Sequence, residues 1–497
     1  MSFNKKLDLS DSLQALTMDK VNLHPPTGIT VLVVGAGVGG LMAALECVRK
    51  GHNVRIVEKS PGPSTQGDFF SIGPNIIRHF YDFWPNLAAE CERINYEGYF
   101  AYYKMTGELV SAPAPLPIAN LTFPLSNGTE KTILFHRHNR PKFVSALLNQ
   151  AISAGVEITF DMRVVDYFED EKEQTAGILL ENGTKLEADI VIAADGIGTK
   201  SNKLVDGRDT RPYPTGWSVF RTAFPVELAM ADPEVRDRWP LLGGCHSYTE
   251  KWGGKKDLSL GIQRNHDIMS WYLTHKDIGI GAESWSQHVD VSEALELTSA
   301  IPGFPDIVTR LIKTTPKDGL VDWPLKLRDP RENWISPLQR IVQVGDSAHT
   351  FLPTSGSGAT QAMEDAISLV TCLQIGGKSN AHWASKIHNK LRFERVSCLQ
   401  LTGFINHQRQ TSPAASLEVV GEDGLAFKST IGKWNLIHDP EKYAYDNYGK
   451  VLNYLLSGAP FQSTNIPRGY TYQPWTIQEM LDNISNGKKL VFDGDWS

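Results

Sequence analysis

Three glycines and one acid, at fixed spacing, form the clearest chemical signature of the chain. Residues 31–40 read VLVVGAGVGG, in which a hydrophobic run leads to Gly35, Gly37 and Gly40, and Glu58 ends the next hydrophobic run, NVRIVE. In such a strand–turn–helix–strand unit the glycines permit a tight turn, close approach of a pyrophosphate and close helix packing. The helix N-terminus attracts phosphates, and the acid accepts hydrogen bonds from a ribose. The unit therefore predicts a bound adenine dinucleotide.

A second turn follows a predicted buried strand in the segment DIVIAADG, residues 189–196. Asp195 and Gly196 stand at the carboxyl end of this apolar run, where doubly wound sheets place their ligands. Asp-Gly is also a common turn sequence. Taken alone, the pair is therefore better explained as a simple β-turn.

The third motif is longer and reads VQVGDSAHTFLPTSGSGATQAMEDA, residues 342–366. A strand ends at Asp346, a loop with one proline and two glycines follows, and a helix then begins. The Asp346 carboxylate could bind the hydroxyls of a ribityl chain, and the backbone N–H groups of Gly358 and Ala359, near a helix N-terminus, could stabilise negative charge on a reduced cofactor. Glu364-Asp365 could be an exposed helix face, and we interpret His349 as a loop-packing residue.

Composition and charge exclude several classes of protein. The chain has 497 residues with 41% hydrophobic and 21% charged residues, enough for two or three domains. Its net charge of −7 argues against nucleic acid or an anionic membrane as a partner. We find no apolar run of membrane-spanning length and no secretory signal. Five scattered cysteines without a CxxC pair fit a reducing compartment, so we expect a cytoplasmic protein without a metal site: Cys47, Cys91, Cys245, Cys372 and Cys398.

The order of the motifs predicts an α/β fold in which a nucleotide-binding domain is interrupted by a second domain. Short alternating segments such as GWSVFRTAFPV are typical of an antiparallel sheet. Aromatic residues near the C-terminus could line a substrate entrance, cap the core or form a homodimer face, and we favour packing. The expected parts are an N-terminal extension (1–27), a discontinuous nucleotide-binding domain (28–110, 130–208 and 328–400), a substrate-binding sheet domain (209–327) and a C-terminal helical region (401–497).

Together, and in this order, the three motifs resemble those of the single-component FAD-dependent aromatic hydroxylases, the group A flavoprotein monooxygenases that include 4-hydroxybenzoate and salicylate hydroxylases. Within that class the sequence is most similar to fungal monooxygenases of phenolic, polyketide or meroterpenoid secondary metabolism. The resemblance covers roughly residues 31–400. It implies a Rossmann-like FAD-binding domain, bound FAD, and NADPH or NADH as a transient reductant.

The resemblance also implies roles for individual residues. Arg137, in LFHRHNRPKFV, matches an arginine that contacts FAD, although a surface arginine near a helix start is the other interpretation. Pro353 matches a proline beside the reactive edge of the flavin. Asp195 and Gly196 match a motif linked to both FAD and NAD(P)H. The residues expected to bind FAD are Gly35, Gly37, Gly40, Glu58, Arg137, Asp195, Gly196, Asp346, Gly358 and Ala359.

The chain departs from the family pattern in two places. Where the family commonly has DGxxSxxR, this chain has Asn202 in place of the arginine, and the neighbouring Lys200 or Lys203 could supply the missing charge. Phe69 and Phe70 stand where small residues are usual. They could shape the flavin pocket or fill the core, and we favour the core.

The implied chemistry is oxygen transfer to an electron-rich ring. NAD(P)H reduces the flavin, O2 adds to form a C4a-hydroperoxide, and its distal oxygen hydroxylates a phenolic substrate, with or without dearomatisation or oxidative decarboxylation. The alternatives are a flavin-dependent epoxidase or other oxidoreductase acting on an isoprenoid or alkaloid, and a flavin-binding protein without turnover.

Arg221 is the main candidate for a substrate and catalytic residue, because a cation near a phenol favours the phenolate. It lies in an otherwise apolar alternating strand, where a charge is costly unless it is paired or at the surface. An exposed strand position is the other interpretation. His246 and Tyr248 are further candidates for hydrogen bonds to the substrate, although such residues in a sheet are commonly structural.

Overall fold

The computed structural model describes residues 21–496 except 64–66, 97, 116–120, 209, 243–245, 256, 285 and 412–431. Residues 1–20 of the expected N-terminal extension, Cys245 and part of the expected C-terminal region therefore lie outside the described residues. The strands are β1 (Thr30–Val34), β2 (Asn53–Val57), β3 (Phe69–Ile72), β4 (Gly98–Lys104), β5 (Leu109–Pro115), β6 (Leu121–Pro124), β7 (Glu130–Ile133), β8 (His136–Asn139), β9 (Glu157–Thr159), β10 (Val164–Asp170), β11 (Thr175–Leu180), β12 (Lys185–Ala188), β13 (Ile190–Ala193), β14 (Tyr213–Pro225), β15 (Ser247–Lys255), β16 (Leu258–Asn265), β17 (Ile268–Lys276), β18 (Val321–Leu327) and β19 (Ile341–Gln343).

The helices alternate with these strands in the first half of the chain and dominate its C-terminal part. They are α1 (Val38–Arg49), α2 (Pro74–Phe83), α3 (Pro85–Arg93), α4 (Arg140–Ser153), α5 (Asn202–Val205), α6 (Val226–Met230), α7 (Pro233–Arg238), α8 (Val291–Ser299), α9 (Asp306–Lys313), α10 (Gly358–Gly376), α11 (Ala381–Thr411), α12 (Lys433–Leu436), α13 (Pro440–Ser457) and α14 (Ile477–Ser485).

A five-stranded parallel sheet carries the three sequence motifs. Its order is β19-β13-β1-β2-β9. Strands β1 and β13 are buried along almost their whole length, as expected for parallel strands covered on both faces. The glycine turn follows β1, the Asp-Gly turn follows β13, and the third motif follows β19. Because carboxyl ends of parallel strands share one edge, the sheet brings all three motifs together.

A seven-stranded sheet, ordered β18-β14-β17-β16-β15-β4-β5, is the second large sheet of the fold. It is antiparallel except where β4 pairs in parallel with β15. Most of its strands come from 209–327, where the sequence predicts an antiparallel sheet. Strands β4 and β5 come instead from residues 98–115, most of which the sequence assigns to the nucleotide-binding domain, because the edge of β15 offers unpaired backbone groups that β4 hydrogen-bonds.

Helices cover the parallel sheet and connect the two sheets. Helices α1, α4 and α10 contribute to a core that also includes strands β1, β2 and β13. Near the C-terminus, Trp475 and Tyr470 are buried, whereas Tyr454 is largely exposed, so most of this aromatic-rich part packs against the fold. No helix among the described residues is long and apolar enough to cross a membrane. The interrupted parallel sheet and C-terminal helices confirm the predicted α/β fold class.

Candidate active site

The glycine turn is shaped by contacts that only glycine permits. Gly35 has a positive φ of 104°, and a Cβ on Gly40 would overlap the Gly35 carbonyl oxygen. Gly37 caps the N-terminus of α1, and a Cβ on it would meet no atom of the described residues within 4 Å. Glu58 accepts hydrogen bonds from the Ala36 and Ser60 N–H groups, each at 2.8 Å. The acid after β2 therefore holds the turn, and Gly37 leaves its outer side open to a ligand.

A cavity of about 470 Å³ lies between the edge of the parallel sheet and the seven-stranded sheet. The predicted residues that it brings together are Gly37, Arg137, Gly196, Arg221, Asp346, Pro353, Gly358 and Ala359. Gly35, Gly40 and Glu58 form the turn beside it, and Asp195 adjoins Gly196 in the chain. The three motifs, far apart in sequence, thus surround one space.

The Asp195 carboxylate ties the second motif to the third. It accepts hydrogen bonds from the Tyr167 hydroxyl at 2.8 Å and from the Ser347 hydroxyl at 3.1 Å. Ser347 in turn accepts a hydrogen bond from the Gly196 N–H at 2.9 Å. Burial raises the pKa of Asp195. In this arrangement the aspartate orders the turn, while Gly196 lines the cavity.

An arginine from another segment lies beside the unusual Asn202. The Arg331 guanidinium donates to Asn202 Oδ1 at 3.3 Å and to Asp206 Oδ2 at 2.5 Å. It also donates to the backbone carbonyls of Ser347 and Ala348, at 3.2 and 3.1 Å. Arg331, which the sequence analysis missed, therefore places a cation beside Asn202.

The two lysines considered for that role lie at the surface. The Lys203 side chain is 69% exposed and pairs with Asp166 at 3.4 Å, and Lys200 is exposed. Neither lysine lines the cavity described above. The sequence could not point to Arg331, because no local pattern links residues 331 and 202.

Asp346 follows a turn that is fixed by a hydrogen bond to helix α10. Gly345 has a positive φ of 58°, and its N–H donates to Asp365 Oδ2 at 3.0 Å. The Asp346 carboxylate is open to the cavity, and the protein atoms around it raise its pKa by desolvation. A carboxylate presented in this way can accept hydrogen bonds from hydroxyl groups of a ligand.

The acidic pair on α10 is buried, not an exposed helix face. Asp365 accepts from His349 Nε2 at 2.6 Å and from Arg392 Nε at 2.8 Å. Burial alone would raise the pKa of Glu364, but Arg395 and Arg392 lower it to about 2. The network supports the third motif from the side away from the cavity. His349 therefore holds Asp365 in place, in agreement with the packing role expected for it.

Arg137 and the two phenylalanines join the cofactor side of the cavity to the sheet side. Arg137 lines the cavity, and its Nε donates to Gln263 Oε1 on β16 at 2.7 Å. Burial lowers the pKa of Arg137. Phe69 and Phe70 line the cavity and also make edge-to-face contacts, at 5.2 Å with Tyr96 and 5.3 Å with Phe143. Both phenylalanines thus line the pocket and contact a neighbouring ring, and Phe70 also packs against the core.

Arg221 is neither a free cation nor an exposed strand residue. Its guanidinium makes a two-point ion pair with the Asp68 carboxylate, with Nε–Oδ2 at 2.9 Å and Nη2–Oδ1 at 2.6 Å. Both residues line the cavity. Asp68 neutralises much of the charge that the sequence analysis offered to a substrate, and its role could not be read from its surroundings in the sequence.

The structure does not bring the other two candidate substrate residues into the cavity. His246 is exposed. Tyr248 is buried with Trp252 in the core on one face of the seven-stranded sheet, and its hydroxyl lies 3.4 Å from that of Tyr103. Because side chains alternate along a strand, Lys251 on β15 faces the other way and lines the cavity. The alternation in SYTEKW separates Lys251 from Tyr248, but it does not indicate which of the two faces lines the cavity.

The donor set of the cavity suits FAD. The N-termini of α1 and α10 offer backbone N–H groups at Gly37 and Gly358, where helix ends favour phosphate or other negative charge. Asp346 offers a carboxylate to hydroxyl groups, and Arg137 offers a partly buried cation. These residues fit the pyrophosphate, ribityl chain and ring of a flavin dinucleotide.

Residues 30–71 match the family described as FAD binding domain. The FAD-dependent monooxygenase fsr3 of Gibberella fujikuroi is 40% identical, with 98% of this chain and 93% of that protein covered. The FAD-dependent monooxygenase mdpD of Emericella nidulans is 39% identical, with 95% and 91% covered. Among solved structures, CtdE in complex with FAD and substrate has a TM-score of 0.76 and 28% identity over 86% of this chain and 99% of that chain. A salicylate hydroxylase substrate complex has a TM-score of 0.60 at 17% identity, over 92% and 98%, and so shares the fold.

Proposed function

The chain belongs to the fungal FAD-dependent monooxygenases, and we propose that it uses NAD(P)H and O2 to hydroxylate a phenolic ring. The proposed substrate is a small aromatic molecule of polyketide or meroterpenoid type. The observation that carries the proposal is the single cavity in which three cofactor motifs face cationic and aromatic residues of the seven-stranded sheet. Dearomatisation or oxidative decarboxylation could accompany the oxygen transfer.

The residues of the parallel sheet would hold FAD. Gly37 and the N-terminus of α1 would receive the pyrophosphate, Glu58 the adenosine ribose, and Asp346 the ribityl hydroxyls. Gly358 and Ala359 would place backbone N–H groups against the ring. When bound, FAD would supply a redox group that NAD(P)H reduces and that, in its reduced form, activates O2.

The opposite wall of the cavity would hold the substrate. Phe351, Leu352 and Pro353, which belong to the loop of the third motif, add an apolar surface to the same space, and an apolar surface favours an aromatic ring and excludes water. Lys251 and Tyr272 contribute polar groups from the sheet. A positively charged group close to a phenol favours its ionised form, which makes the ring a better nucleophile.

NAD(P)H would visit the flavin transiently. The sequence contains one βαβ unit with the glycine fingerprint and acid, and we assign that unit to FAD. We also propose a reducing compartment such as the cytosol, because Cys47, Cys91, Cys372 and Cys398 are buried free thiols. A homodimer stays a prediction.

Anaerobic rapid mixing of the FAD-loaded protein with NADPH tests the proposal. We expect a phenol from a structurally varied panel to accelerate the loss of oxidised-flavin absorbance, and isotope-labelled O2 to place one labelled oxygen in the product. Fast reduction that no phenol affects, with labelled oxygen entering an alkene, would favour an epoxidase. Reduction without any oxygenated product would favour a flavin-binding protein without turnover.

A further inference from the structure

A row of residues crosses the seven-stranded sheet on the face that lines the cavity. Lys251 on β15 is in register with Gly261 on β16, Gly261 with Tyr272 on β17, and Tyr272 with Arg221 on β14. Residues paired in register on neighbouring strands lie on the same face. Lys251, Tyr272 and Arg221 all line the cavity, so the row is part of the wall opposite the cofactor motifs.

Gly261 lets the Tyr272 ring lie across β16. A Cβ built on Gly261 would overlap ring atoms of Tyr272 and come within 2.7 Å of its hydroxyl oxygen. Because this position has no side chain, the Tyr272 hydroxyl reaches past β16 to Lys251. The Lys251 Nζ lies 2.5 Å from that hydroxyl and 4.7 Å from the ring centroid. Glycine at this position is therefore a condition for the Lys251–Tyr272 contact.

The direction of this hydrogen bond leaves one donor available. A lysine ammonium has only donors, so Lys251 donates and the Tyr272 oxygen accepts. A tyrosine hydroxyl also has one proton to donate. Among the described residues, the contact with Lys251 is the hydrogen bond recorded for the Tyr272 hydroxyl. The Tyr272 proton can therefore be donated to a ligand in the cavity.

The charges around Tyr272 favour an anionic ligand. Lys251 and the partly buried Arg137 are cations, whereas Arg221 is paired with Asp68. Arg140 and Asp346 lie on the cofactor side of the cavity. Tyr102 is in register with Lys251 on β4, and burial raises the pKa of its hydroxyl, so it stays neutral.

We propose that Lys251 and Tyr272 bind the ionised hydroxyl of the phenolic substrate, with Tyr272 donating a hydrogen bond to the phenolate oxygen and Lys251 polarising Tyr272. This assignment rests on the proposed function. The phenol proton leaves to solvent as the anion binds, and no covalent bond changes. A donor held in place by a cation stabilises an oxyanion, so the site selects phenols with an accessible ionisable hydroxyl.

The test uses the oxidised, FAD-loaded protein and 4-nitrophenol, whose phenolate absorbs at longer wavelength than the phenol. Titrations over a range of pH give separate dissociation constants for the two forms. We expect the native protein to bind the phenolate about tenfold more tightly than the phenol, which corresponds to lowering the pKa of the bound probe by about one unit. This readout does not depend on turnover.

Three variants examine the site. Lys251→Met and Tyr272→Phe should each reduce the preference for the phenolate to roughly twofold or less, about the loss of one charge-assisted hydrogen bond. Gly261→Ala should do the same with both polar residues present, because its methyl group displaces the Tyr272 ring. The matched control is Lys276→Met, which removes a cation from the same sheet that is 72% exposed and paired with Asp257, and it should keep the native preference.

The possible outcomes separate this proposal from the proposed function. If the three variants keep the native phenolate preference, the Lys251–Tyr272 site is wrong, while hydroxylation of a phenol remains supported by substrate-accelerated flavin reduction. If the native protein binds neither form of the probe and no phenol accelerates reduction, both proposals fail. The flavin spectrum and circular dichroism of each variant show whether it has folded around FAD.

Discussion

The Asp68 carboxylate accepts two hydrogen bonds from the Arg221 guanidinium. Asp68 directly precedes β3, and Arg221 lies on β14 of the seven-stranded sheet, so the ion pair joins these two parts of the fold. The side chains are 11% and 18% exposed, respectively. The pair forms part of the cavity wall and connects the cofactor side to the substrate side. Arg221 thus acts first as a link between two parts of the fold.

Breaking this ion pair should destabilise the protein. We expect Asp68→Asn and Arg221→Gln each to lower the free energy of unfolding by roughly 1–3 kcal/mol, because each leaves a partly buried charged group with weaker partners. Urea unfolding followed by circular dichroism measures the effect, and the double variant should lose less than the sum of the two. Lys104→Gln, which breaks an exposed ion pair with Glu108, is the control and should change stability little. Strictly additive losses would show that the two residues act independently.

Arg331 should matter for FAD binding although it does not line the cavity. Arg331→Met removes hydrogen bonds to Asn202 and to the Ser347 and Ala348 carbonyls, which order the turns around Gly196 and Asp346. We expect FAD affinity to fall roughly tenfold, the effect of about one charge-assisted hydrogen bond. Flavin fluorescence during titration measures the affinity. Lys203→Met, which removes an exposed charge, should leave it unchanged, and equal losses in both variants would contradict a specific role for Arg331.

The sequence predicts the parts of this site that are built from neighbouring residues. The glycine turn, the Asp-Gly turn and the loop leading to Gly358 each depend on a short segment, and parallel strands place such turns at one edge. The fold class follows from the same local patterns together with their order.

The parts that the sequence could not predict depend on distant partners. Arg221 and Asp68 are separated by 153 positions, and Arg331 and Asn202 by 129. In the sequence Glu364 looks like part of an exposed polar helix face, whereas in the structure Arg395 on α11 lies against it and donates to its carboxylate. Whether Tyr248 or Lys251 faces the cavity depends on the register of β15, which the sequence alone leaves open.

Two glycines of the fingerprint should respond differently to a methyl group. Gly37→Ala should change the stability of the FAD-free protein by less than about 1 kcal/mol, since a Cβ there lies more than 4 Å from every atom in the described part of the chain. It should nevertheless weaken FAD binding by roughly tenfold or more, because the methyl group occupies the side that a pyrophosphate approaches. Gly40→Ala should destabilise even the FAD-free protein by about 1–3 kcal/mol, because its methyl group overlaps the Gly35 carbonyl.

Urea unfolding of the FAD-free protein and FAD titration separate the two effects. Gly62→Ala is the matched control, since a Cβ there also meets none of the residues that the structure describes within 4 Å, and Gly62 is not among the residues that line the cavity. An unchanged FAD affinity in Gly37→Ala would contradict our assignment of the pyrophosphate to the space beside Gly37.

His407 on α11 should make the protein less stable in acid. The imidazole ring lies 3.8 Å from the Trp217 ring between centroids, and burial lowers the pKa of His407 from 6.5 to about 4. The unfolded chain therefore binds a proton near pH 6.5, whereas the folded protein binds it only near pH 4. Stability contributed by this residue is complete above pH 6.5 and falls as the pH drops towards 4, by roughly 3 kcal/mol in all.

Replacing His407 by phenylalanine tests this directly. His407→Phe keeps a ring against Trp217, and among the described residues His407 Nε2 has no hydrogen-bond partner to lose. We expect the stability near pH 7 to change little. Between about pH 6.5 and 4, the slope of the unfolding free energy against pH should fall by the contribution of about one bound proton. Urea unfolding at a series of pH values gives this slope. An unchanged slope would mean that His407 binds its proton equally well in the folded and unfolded protein, because only a difference in proton binding between the two states makes stability depend on pH.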